Sequence, residues 1–140
     1  LKKDEDMDER KKHWEQVYQT KSPEQVSWTQ AVPQTSLDFI KDAAVSKKAR
    51  IIDVGGGDSK LLELAGKSVK QYLIIGTFSN EGPEKCSGLP VRQYSEAALQ
   101  QTLAKDFQKI KCITEDHVTP FDTMQSFTFC SFKKANTAHI

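Results

Sequence analysis

The feature that most restricts what this chain can fold into is Ile51-Ile52-Asp53-Val54, a short β-branched run that ends in Gly55-Gly56-Gly57. Such a run reads as a buried strand stopped by a backbone turn, and a helical stretch from Leu61 to about Ala65 follows it. Strand, glycine loop and helix form the arrangement in which open α/β sheets take up ligands. The glycines let the backbone approach closely, and the helix start offers unpaired N–H groups.

The elements around this centre are shorter and mostly amphipathic. Leu1 to Lys12 alternates acids and bases and predicts a frayed tail or a solvated first turn. From there Met7, Trp14, Val17 and Tyr18 recur at helical spacing, predicting a helix that ends near Lys21. Trp28 and Pro33 lie in a loop, and Ser36 stands ahead of a second helix carrying Leu37, Phe39, Ile40, Ala43 and Ala44, running to about Val45. Tyr72 to Phe78 reads as a second buried strand. Ser79 to Arg92 is a Gly-, Pro- and Ser-rich loop. Ser95 caps a third helix, with Leu99 and Leu103 on one face and Glu96 in the first turn. Phe107 to Thr114 and Ser126 to Phe132 read as the two strands of a wide antiparallel hairpin.

Charge and cysteine content narrow the classes of partner. Lys and Arg number 20 against 19 Asp and Glu, so no basic stripe for a nucleic-acid backbone is expected. Apolar runs fall far short of the ~20 residues of a membrane span, and no signal pattern opens the chain. Cys86, Cys112 and Cys130 are odd in number and widely spaced, which predicts neither a disulfide framework nor a zinc site. Reduced thiols in a soluble cytoplasmic protein are the expectation.

The glycine loop departs from a dinucleotide fingerprint: no glycine stands three residues after Gly57, and Asp53 and Asp58 flank the place where a pyrophosphate would sit. Like-charge repulsion favours a ligand bearing positive charge. S-adenosylmethionine has an ammonium and a sulfonium, with a carboxylate for the backbone N–H groups. The bland alternative is a glycine turn that only joins strand to helix.

The loop also resembles the first motif of class I S-adenosylmethionine-dependent methyltransferases, an acidic residue followed by Gly-x-Gly, with Ser59 in place of the usual third glycine. Further segments resemble a small bacterial-type subgroup of that family: His13-Trp14-Glu15-x-x-Tyr18 with Ser27-Trp28, Ile75-Gly76-Thr77-Phe78, Gly82-Pro83-Glu84-Lys85-Cys86-Ser87-Gly88-Leu89-Pro90, and His117-Val118-Thr119-Pro120 before Gln125-Ser126-Phe127. The resemblance runs from about residue 12 to residue 133. It implies an α/β fold, a Rossmann-like sheet with helices on both faces and a C-terminal antiparallel hairpin, in the strand order 3-2-1-4-5-7-6. Ile51 to Val54 then corresponds to the first strand, Tyr72 to Phe78 to the fifth, and the hairpin to the sixth and seventh.

Strands two, three and four have no counterpart. Some tens of residues, with the acidic residue for the ribose hydroxyls, would fall between Leu62 and Gly66, and the Gly-Gly turn before the fifth strand is absent. The fold is therefore expected to be incomplete, with the 140 residues representing part of a longer protein. A helical cap spans about 13–46 and the Rossmann-like core about 49–134, in one domain over 13–140.

Carried onto matching positions, Gly55, Gly56 and Gly57 would admit the methionine part of the cofactor, Asp53 would hold its ammonium, and Asp58 and Ser59 would contribute at the helix start. Trp14 and Trp28 could face the sulfonium through cation–π contact. Trp14 and Tyr18 also form the apolar stripe of their helix, which leaves Trp28 the better binding residue. Glu84, Lys85, Cys86 and Arg92 lie where an acceptor would approach, and His117 is read as a loop histidine paired with a carboxylate. No catalytic base and no metal ligand is assigned. The expected activity is methyl transfer to an acceptor, small molecule or protein, with preference for a small molecule. An inactive cofactor-binding scaffold is the alternative, and a nucleotide-binding oxidoreductase is disfavoured by the broken fingerprint.

Overall fold

A computed structural model describes residues 2–49 and 69–136. The first strand at Ile51 to Val54, the glycine loop and the helical stretch from Leu61 lie outside the described residues. The elements are helix α1 (Lys2–Thr20), a 3-10 turn (Pro23–Gln25), helix α2 (Gln34–Asp42), strands β1 (Tyr72–Phe78), β2 (Lys85–Cys86) and β3 (Leu89–Pro90), helix α3 (Glu96–Leu103), and strands β4 (Phe107–Val118) and β5 (Met124–Lys134). They divide into two compact bodies, Leu1–Ala31 with Val118–Met124, and Val32–His117 with Gln125–Ile140. None of the described helices is long and apolar enough to cross a membrane.

In the first body the charged opening of the chain belongs to α1. Lys12 pairs with Asp8 at 3.3 Å and Lys11 with Glu15 at 3.9 Å, both one helical turn apart. Among the α1 residues whose burial is described, Val17 is the buried one. The 3-10 turn is opened by the Ser22 N–H, which donates to Gln25 Oε1. Glu24 in that turn has its carboxyl held below the ordinary range by a backbone hydrogen bond and then by the Ser22 side chain. The hairpin tip in the same body is closed by the Thr119 N–H donating to the Thr123 carbonyl at 2.8 Å, with Asp122 in the left-handed region at φ 57°.

The second body is built on a sheet in the order β1-β5-β4, with a separate two-stranded ladder β2-β3. β1 runs antiparallel to β5, from Tyr72 opposite Lys133 to Phe78 opposite Phe127. β4 and β5 are joined by a tight loop and form the expected hairpin. The molecule is thus mixed α/β, with three helices and a small antiparallel sheet among the described residues. The parallel strand pairing expected of a Rossmann-like sheet is not found among them.

Successive residues of β5 point to opposite sides of the sheet. On one side Cys130 and Phe132 join Leu99, Leu103, Tyr94 and Phe107 in the core, with Leu73, Ile75 and Cys112 packed against it. That side is covered by α3, whose start is fixed by Ser95: its hydroxyl accepts from the Ala98 N–H at 3.1 Å. On the other side Phe129 meets Phe39 of α2 at 6.4 Å between ring centres. Helices therefore cover both faces of the sheet. Gly76, directly opposite Phe129, is needed here because a Cβ would sit 2.5 Å from the Phe129 ring.

Three expectations are corrected. α2 begins at Gln34 behind Pro33 rather than after Ser36, and it stops at Asp42 because Ala44 turns into the left-handed region at φ 50°. The hairpin strands are longer than their apolar cores suggested, so His117 lies in β4 and not in a loop. Cys112 and Cys130, expected as separate reduced thiols, form a disulfide with Cα atoms 4.1 Å apart. Their spacing of 18 residues carries no pairing signal, and strand alignment alone brings them together.

Candidate functional site

The N-terminal body gathers aromatic side chains. Trp14 meets Trp28 edge to face at 6.0 Å, Tyr18 lies 6.2 Å from Trp28, and His13 stands nearly perpendicular to Trp14 at 5.3 Å. The helix sets this up, because Trp14 and Tyr18 are four residues apart on one face of α1. Trp28 arrives from the loop after the 3-10 turn. Both tryptophans are half-buried, and Tyr18 is 70% exposed. In an edge-to-face pair the electropositive edge of one ring rests on the π-face of the other.

His13 adds a polar atom to this cluster. Its Nε2 is buried without a hydrogen-bond partner. The sequence alone gives His13 no role. The signal was present, since His13 precedes the buried Val17 by four residues and so shares its face of α1.

At the far end of β1 the second body carries an ordered loop. The Ser79 N–H donates to the Ser126 carbonyl at 3.0 Å, and the Ser79 hydroxyl donates to the Ser126 hydroxyl at 2.7 Å in a buried position. Gly82 passes so close to β5 that a Cβ would lie 2.5 Å from the Ser126 carbonyl oxygen. Gln93 Nε2 donates to the Gly82 carbonyl, and the β2-β3 ladder sits between, turning at Ser87-Gly88 with both residues at positive φ. Tyr94 closes the segment: its N–H donates to the Phe78 carbonyl, and its own carbonyl accepts from Thr128 Oγ1. The loop is therefore a built platform.

The acceptor-side residues fall on this platform. Lys85 and Cys86 form β2, Glu84 precedes it, and the Arg92 guanidinium lies 5.1 Å over the Tyr94 ring. His117 meets the Phe127 ring edge-on at 6.1 Å. Asp53, Gly55, Gly56, Gly57, Asp58 and Ser59 lie outside the described residues. Of the residues expected to hold the cofactor, Trp14 and Trp28 are brought together. A cleft of about 400 Å³ beside the Ala43–Ser46 turn, Lys48 and Gln71–Tyr72 is lined mainly by small side chains. Among the described residues no three His, Cys, Asp or Glu side chains converge as metal ligands.

The half-buried indoles of Trp14 and Trp28 and the unpartnered His13 nitrogen thus form an aromatic cluster with one polar position beside it. Comparison with protein-family models, with curated proteins and with solved structures gave no match.

Proposed function

We propose that this chain is an S-adenosylmethionine-dependent methyltransferase domain with a Rossmann-like core, acting on a small-molecule acceptor in the cytosol. The observation that carries the proposal is the strand order. The family order ends 4-5-7-6, so the last strand must insert between the fifth and the sixth and run antiparallel to the fifth. With Tyr72–Phe78 as the fifth strand, the order β1-β5-β4 meets that requirement, including the antiparallel step from β1 to β5. An ordinary three-stranded meander would place the strands in sequence order. Helices on both faces of the sheet add support.

The bound cofactor would supply an activated methyl group, and the protein's part is to hold the partners in line. Gly55, Gly56 and Gly57 would let the backbone approach the methionine portion, Asp53 would face its ammonium, and Asp58 and Ser59 would line the helix start. Trp28, with Trp14, would face the sulfonium. The Ser79–Arg92 platform leaves the C-terminal end of β1, the side on which open α/β sheets bind ligands, and would receive the acceptor.

A second reading, a module that binds the cofactor without transferring the methyl, is favoured by the short span from Asp58 to Gln71, which leaves little chain for a ribose and adenine site. Calorimetry with S-adenosylmethionine, on the wild type and on Asp53→Ala and Trp28→Ala, tests the shared part. Saturable binding that weakens in both variants is expected, and no binding overturns both readings. Release of S-adenosylhomocysteine across a panel of small acceptors then separates them: turnover supports the transferase, and binding without turnover supports the module.

A further inference from the structure

We propose that Cys112 and Cys130 form a reversible redox lock on the C-terminal hairpin, and that it is entered through Cys112. The two sulfurs bridge β4, at the edge of the described sheet, to β5 in its middle. Their surroundings are unequal. Cys130 is fully buried in the core among Leu99, Leu103, Tyr94, Phe107 and Phe132, whereas Cys112 packs at the margin of that core and is partly exposed. A thiolate is the reacting form, and an apolar enclosure disfavours it. Cys130 therefore cannot meet a dissolved disulfide, but it faces Cys112 across one strand spacing.

The chemistry follows that asymmetry. The Cys112 thiolate attacks one sulfur of a small disulfide of the glutathione class, forms a mixed disulfide and expels one small thiol. Cys130 then attacks the Cys112 sulfur, closes the bridge and expels the second. Two protein thiols are oxidised, one small disulfide is reduced to two thiols, and the two protons leave with them. Reduction retraces the path, with the small thiolate attacking Cys112 and Cys130 leaving as the buried thiol. Closing the lock ties the edge strand to the core and suppresses opening of the hairpin.

The test uses the full chain carrying Cys86→Ser, since Cys86 lies outside the pair. With glutathione disulfide, this protein should lose both thiols and keep no adduct by intact mass. Adding Cys130→Ser should give one stable glutathione adduct, and adding Cys112→Ser instead should slow adduct formation by at least about tenfold. Equal adduct rates in the two variants would overturn entry through Cys112. Because either variant could disturb the core, hydrogen exchange is compared in the oxidised and reduced forms of the Cys86→Ser protein itself. Slower exchange over 107–118 and 124–134 on oxidation is expected; identical exchange would overturn the lock.

Discussion

The two faces of β5 are built from alternate residues of one strand, yet they are different materials. Toward α3 the strand presents Cys130 and Phe132, both wholly buried among Leu99, Leu103, Tyr94 and Phe107. Toward α2 it presents Phe127 and Phe129, half-buried rings in a line that continues to Phe78 at 4.8 Å and Phe39 at 6.4 Å. Polar groups border that second face: Lys111 lies over the Phe39 ring and pairs with Asp42 at 3.2 Å, and the Thr35 hydroxyl donates to Glu115. The α3 face is an enclosed core whose cohesion comes mainly from apolar burial, with the Thr128 hydroxyl donating to the Tyr94 carbonyl inside it. The α2 face is an aromatic ribbon, less fully buried and held by ring contacts and a polar border.

The largest expected effect lies on the α3 face. Phe132→Ala should cost about 3–5 kcal/mol in urea unfolding, as deletion of a fully enclosed ring does. Phe127→Ala, across the strand, should cost clearly less, and equal losses would erase the distinction between the faces. Gly76→Ala is the next test, because a methyl there must displace the Phe129 ring and with it the contact to Phe39. A loss of about 1–3 kcal/mol is expected from such overpacking. Unchanged stability would mean that the ribbon accommodates more than its geometry suggests. The smallest effect is Ser95→Ala, about 1 kcal/mol from the lost helix cap, measured by the same unfolding experiment. A null result would show that α3 is held by Leu99 and Leu103 alone.

Much of the α3 side was legible in the sequence. Tyr72 to Phe78 matches β1, and Ser95 with Leu99 and Leu103 gave both the cap and the buried face of α3, because capping and four-residue spacing are local signals. The ends of the hairpin were less legible. Glu115, Asp116 and His117 look like a loop in sequence, but an edge strand with one open side tolerates charge, so β4 continues to Val118. The disulfide was not legible, because pairing depends on register between strands. At the candidate site, the meeting of Trp14, Tyr18 and Trp28 followed partly from helical spacing. The knitting of Ser79 to Ser126 joins residues far apart in the chain, and no local pattern announces it.

The strand order also bears on how the molecule is made. β5 is synthesised after both strands that it joins, so β1 and β4 wait on the ribosome without their common neighbour. Among the described residues both ladders of this sheet run through β5, so neither can begin to close before Met124 and the residues after it have been made. The described part of the sheet therefore forms late in synthesis, and the unpaired edges of β1 and β4 stay exposed until it does.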